Sequence, residues 1–229
     1  MKKTPKVIVT NSSLGSVEVE QGTERQVTVD LDMRSPEDLD WNVSQEENVI
    51  AITCRMRNAW GWPSYLFTSR PKANIHVLVP HEADVEIENR AGRIAIIGIK
   101  GTISAESSAG SIGTQDCEGS IRIRTKAGSI SLRNVKGTVT AHSSAGSITF
   151  AGTLSKAENW FKSSLGSIDV TLGSDADLTI EASTNLGSIR CIPQLADVRY
   201  ERGRQVGRIG AGTGKLFVET NLGSITIHS

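Results

Sequence analysis

Aromatic residues make up only 4% of this 229-residue chain, and cysteines number three. So few rings leave an interior built from Ile, Val, Leu and Ala, which suits a narrow stacked core better than a globular sandwich. The cysteines, at 54, 117 and 191, are odd in number and far apart. No CxxC spacing or histidine cluster accompanies them, which excludes a disulfide framework or a structural zinc site and leaves buried, reduced thiols. Charge of one sign is also missing. Lys plus Arg and Asp plus Glu stand at 25 each, which argues against a nucleic-acid arm or a basic membrane patch. No stretch approaches the roughly 20 apolar residues of a membrane span. The N-terminal MKKTPKVIVTNSSLG has no apolar core or cleavage site of a secretory leader. As it stands the chain is expected in the cytoplasm, and a cell-surface or exported location would need a leader or anchor outside these residues.

What the chain does have is repetition. Glycines fall at 92, 101, 110, 119, 128, 137 and 146, nine residues apart. Two positions after each comes a β-branched residue: Ile94, Ile103, Ile112, Ile121, Ile130, Val139 and Ile148. Two further on stand Ile96, Ala105, Thr114, Ile123, Leu132, Ala141 and Phe150. Period two places both sets on one face of a strand. The halves differ, because Ala precedes alternate glycines (Ala91, Ala109, Ala127, Ala145) while Ile99, Cys117 and Val135 form an additional apolar set eighteen residues apart. The unit is therefore an eighteen-residue coil, and the class is an all-β, parallel β-solenoid in which equal positions stack in columns. Looser coils of 18–21 residues continue through Gly166, Gly187 and Gly223, with Val206–Ile209 as a further candidate rung. Gly92, Gly110, Gly128, Gly146, Gly166, Gly187 and Gly223 are expected at corners with positive φ.

Residues 1–88 read differently, as a cap of antiparallel strands before a solenoid region over 89–229. Arg25–Met33, Trp41–Val43 and Val49–Cys54 alternate, as do Ile75–Val79 and Val85–Ile87. Asn11–Val19 carries the repeat signature early, as an outlying half-coil or a hairpin. Trp60, Trp62, Tyr65 and Phe67 gather in a Gly- and Pro-containing loop. They serve either as a contact surface for a partner or as a plug over the first coil. Arg199, Arg202, Arg204 and Arg208 make the insertion at 193–208 basic, as an anion or glycan contact or as a solvated loop. The chain ends inside a rung at Thr226–Ser229 with no capping helix, which predicts an open C-terminal coil edge through which copies could associate.

The run Asn74–Pro80, then Ala83–Ile87, then repeated Gly-Ser-Ile units resembles the bacterial putative-adhesin family of β-strand-repeat domains, a family of largely unknown function. The resemblance spans roughly Lys6 to Ser229. It implies a single-stranded, right-handed parallel β-helix behind an N-terminal β cap, and it carries over no catalytic residue.

Catalytic chemistry has little to stand on. His76, His81, His142 and His228 are scattered, the serines after the corner glycines have no base in register, and no two carboxylates align in adjacent coils of the regular array. No calcium-type glycine-aspartate repeat or phosphate loop occurs. No enzyme activity, catalytic residue, metal or cofactor is expected. The reading is a non-catalytic, adhesin-like β-helix scaffold for an unidentified protein or glycan. A self-assembling, bactofilin-like polymer is the alternative, and a carbohydrate-active β-helix enzyme the third.

Overall fold

The computed structural model describes residues 4–23, 26–57, 71–192 and 194–229. Among these the regular secondary structure is strand, apart from one 3-10 turn at Pro36–Asp38. The N-terminal strands are β1 (Lys6–Leu14), β2 (Val17–Gln21), β3 (Thr28–Arg34), β4 (Leu39–Glu46), β5 (Val49–Met56), β6 (Lys72–Val79) and β7 (Asp84–Ala91). The regular array contains β8 (Ile94–Ile97), β9 (Lys100–Ala109), β10 (Ile112–Gln115), β11 (Glu118–Ala127), β12 (Ile130–Ala145) and β13 (Ile148–Leu154). There follow β14 (Glu158–Leu165), β15 (Ile168–Leu172), β16 (Leu178–Leu186), β17 (Ile189–Ile192), β18 (Ala196–Glu201), β19 (Arg204–Ile209), β20 (Gly214–Leu222) and β21 (Ile225–His228).

The eighteen-residue period holds as a register. Ile94, Ile112, Ile130, Ile148 and Ile168 are successive parallel partners, and Ile103, Ile121 and Val139 form a second such column. All of them lie within 1% of complete burial. Ile99, Cys117 and Val135 are equally buried, so each regular coil closes around aliphatic columns that continue from rung to rung. Phe150 and Phe161, with ring centroids 5.1 Å apart, supply rings to this interior.

Two kinds of bend let the strand turn. At one, Gly98, Asp116 and Asn134 stand eighteen apart with φ of 73°, 55° and 49°, the left-handed region that Gly, Asn and Asp tolerate. The Asn134 amide donates to the Asp116 carboxylate one rung away. At the other, Gly128 has φ 147°, and a Cβ there would sit 2.1 Å from the Gly110 carbonyl oxygen. The position belongs to glycine because the neighbouring rung's backbone already occupies the space.

The stacking order departs from the chain order at both ends. Asn11–Val19 belongs to neither a half-coil nor a hairpin but to a complete rung, β1–β2. It lies between β5–β6 on one side and β7–β8 on the other. The last rung, β20–β21, is likewise inserted between β14–β15 and β16–β17. From one end to the other the rungs run β5–β6, β1–β2, β7–β8, β9–β10, β11 with the first part of β12, the rest of β12 with β13, β14–β15, β20–β21 and β16–β17. Nine rungs at about 4.8 Å make a stack on the order of 38 Å long. Antiparallel strands flank it: β4 on β5 and β3 on β6 at one end, and β19 on β16 with β18 beyond at the other.

Three expectations change. The C-terminal coil offers no open edge, because β20 and β21 are paired on both sides and the chain's last residues lie within the stack. The segment Val206–Ile209 is no rung but part of antiparallel β19, so Gly207 marks no corner. The parallel ladders also run through residue 88 without a break, since β1, β2, β5, β6 and β7 are rungs and, among the described residues, β3 and β4 flank them.

Gly128→Ala is expected to cost more than about 2 kcal/mol in urea unfolding, from left-handed strain plus the carbonyl collision. Gly113→Ala, whose Cβ would meet its nearest neighbour, the Ser131 carbonyl oxygen, at 3.9 Å, should change stability by less than about 0.5 kcal/mol. Removing residues 214–229 should strip hydrogen-exchange protection from 178–209 as well, because those strands rest on β20–β21. Protection surviving at Ile180 and Ala182 in that truncation would contradict the stacking order.

Candidate functional site

One inner column carries polar side chains beside the glycine corners. Thr125, Ser143, Ser163, Thr220 and Thr184 are all at least nine-tenths buried. Each hydroxyl donates to the corner-glycine carbonyl of the adjacent rung: Thr125 to Gly110 (3.2 Å), Ser143 to Gly128 (3.0 Å), Ser163 to Gly146 (2.9 Å), Thr220 to Gly166 (2.9 Å) and Thr184 to Gly223 (3.0 Å). Asn89 does the same through its amide, to Gly15 at 3.0 Å. These bonds satisfy carbonyls that the bend turns away from the ladder, and an unmatched buried acceptor would cost about 1–3 kcal/mol. In Ser107 the hydroxyl has no partner.

Because this column points inward, the residues on either side of it point outward. Glu88, Glu106, Arg124 and His142 are register partners across β7, β9, β11 and β12. They line a surface groove of about 590 Å³, together with Arg90 and Lys126 of the next outward column. Arg124 lies 3.7 Å from Glu106, and both side chains are half exposed. Glu88 and Glu106 thus bring two carboxylates into register on adjacent rungs, contrary to the expectation that none align. The sequence signal was available, since Glu88 stands eighteen before Glu106, but it falls in the segment read as cap.

The other sequence-derived candidates fare differently. Trp60, Trp62, Tyr65 and Phe67 lie outside the described residues. The four arginines lie on the β18–β19 hairpin and do not converge on a common cradle. Arg204 is bound to Glu181 at 2.8 Å and to Glu201 at 3.7 Å, and Arg208 to Asp197 and the Gly210 carbonyl. Arg199 and Arg202 are exposed. Gly92, Gly110, Gly128, Gly146, Gly166, Gly187 and Gly223 all have positive φ at corners, joined by Gly15. Cys54 and Cys117 are buried as expected, and burial raises both thiol pKa values, whereas Cys191 on the end rung is half-buried.

The sequence profile of the Toastrack DUF4097 family matches residues 84–228, more than half of the chain. The chain belongs to that family. The Toastrack match begins at β7, so it takes in the regular array, the inserted C-terminal rung and every groove residue named above. No curated protein matches the chain in sequence. Among solved structures it is similar to a putative cell adhesion protein of Clostridium sporogenes, at 9% identity and TM-score 0.46, covering 99% of this chain and 93% of that one. It is also similar to a putative adhesin of Bacteroides fragilis, at 16% identity and TM-score 0.45, covering 98% and 93%. No helix among the described residues is long and apolar enough to cross a membrane.

Thr125→Val keeps the β-branched shape but removes the donor to Gly110, and should cost about 1–3 kcal/mol in urea unfolding. Ser107→Ala, which breaks no hydrogen bond, should be close to neutral. Equal costs would mean that the inner hydroxyls act through packing alone.

Proposed function

We propose that this Toastrack domain is a non-catalytic, adhesin-like binding scaffold, and that its ligand lies in the groove over β7, β9, β11 and β12. The observation that carries this reading is the outward column Glu88, Glu106, Arg124 and His142. Register stacking sets one polar side chain about every 4.8 Å along the axis. A linear ligand laid along the stack, a glycan chain or an extended peptide, would meet a fresh donor or acceptor at each rung. Arg90 and Lys126 add cations beside that line, which favours ligands bearing carboxylates or sulfates. The β18–β19 hairpin's Arg199 and Arg202 offer a second, weaker anion contact.

The polymer reading loses its motivating surface, since the C-terminal coil is enclosed. The enzyme reading has one supporting feature, the adjacent carboxylates of Glu88 and Glu106, but the half-exposed side chain of Glu106 is already paired with Arg124. A carbohydrate-active site would have to act across an open outer face.

Glycan and peptide arrays probed with the full chain should return acidic ligands. The double variant Arg124→Ala, His142→Ala should reduce the retained signal at least about tenfold, the scale of one lost charge-assisted contact. Unchanged retention by that variant would remove the groove from the reading. Turnover of a uronic-acid polymer would replace scaffolding with catalysis.

A further inference from the structure

A second cluster lies on the outer surface of the other ladder, where β3, β6 and β2 are neighbours. Glu18 of β2, His76 of β6 and Asp30 of β3 are register partners in one row, and Glu20 stands two residues along β2. Donor atoms of Glu18, Glu20 and His76 all lie within 4.8 Å of one another. The imidazole has a carboxylate on each side, with Nε2 3.6 Å from Glu20 Oε2 and Nδ1 4.0 Å from Asp30 Oδ2. The Nε2–Glu20 spacing exceeds a direct hydrogen bond of about 2.7–3.2 Å. It falls in the range of about 3.0–4.3 Å expected between donors that share one ion at bond lengths near 2.0–2.2 Å.

Charge points the same way. Glu18, Glu20, Asp30 and Asp32 face this patch, and none forms an ion pair with a Lys or Arg among the described residues. The neighbouring row is fixed independently. Asn74 donates to Asp32 at 3.0 Å, and its carbonyl accepts from the Ser16 backbone N–H and hydroxyl. The donors thus stand on paired strands.

We propose that Glu18, Glu20 and His76 bind one divalent transition-metal ion, with Asp30 as the carboxylate facing the ring's other nitrogen. One imidazole among carboxylates favours a first-row ion such as Zn²⁺ over Ca²⁺ or Mg²⁺, which prefer oxygen alone. A carboxylate on the second ring nitrogen is the usual support of a metal-bound histidine. Sequence spacing hides the set, because His76 is 56 residues from Glu20, with β3, β4 and β5 between them in the chain. The site is separate from the groove and does not depend on that reading.

The test is calorimetric titration of untagged full chain with ZnCl₂ at pH 7.5, in a Cys191→Ser background that removes the half-buried thiol as a competing ligand. One equivalent should bind and persist in excess Ca²⁺. Asp30→Asn should weaken binding about tenfold, and His76→Ala and Glu20→Gln should weaken it more. The side chains project outward, so the metal-free variants should melt with the parent, and Glu20→Gln decides the matter if His76→Ala does not fold. Absence of saturable binding, binding unchanged in both ligand variants, or displacement by Ca²⁺ would overturn the proposal.

Discussion

The stack rests on a steric coincidence repeated along its length, in which the carbonyl of one corner glycine fills the space where the next rung's Cβ would be. The order of those contacts is Gly15, Gly92, Gly110, Gly128, Gly146, Gly166, Gly223, Gly187. Close approach at the corner lets the flanking strands keep ladder spacing, and ladder spacing aligns the Ile and Val columns that exclude water. The inner hydroxyl column follows from the same approach, since it reaches the carbonyls that the bend exposes. Each layer of interaction therefore depends on the absence of a single methyl group.

Much of this was readable in the residues. The nine-residue glycine spacing and the alternating apolar positions specify both the corners and the buried columns, because a period-two pattern has only one way to face inward. The order of the rungs was not readable. Asn11–Val19 and Leu222–Ile227 carry the same local signature as their neighbours, and a shared signature says that a segment stacks without saying on what. The two insertions arise because β3–β6 and β16–β19 fold outward past a rung that joins the array directly.

Candidate sites were legible to different degrees for the same reason. Glu106, Arg124 and His142 could be placed on one outward line by counting eighteens, and Glu88 completes that line once its strand is recognised as a rung. The Glu18, Glu20 and His76 cluster depends on β2 lying beside β6, a neighbourhood created by the insertion of the first rung. Cross-rung ion pairs such as Lys162 with Glu219 at 3.0 Å and Lys215 with Glu158 at 3.0 Å depend likewise on β20 lying against β14. These exposed pairs each contribute little to stability, but they mark the insertion on the surface.

Interlocking at both extremities leaves the regular middle array as a part of the fold where length is adjustable. Duplicating the unit between Gly110 and Gly128 would add one storey of about 4.8 Å and leave every contact at the two tips unaltered. Reach along the axis and identity of the ends can thus diverge independently.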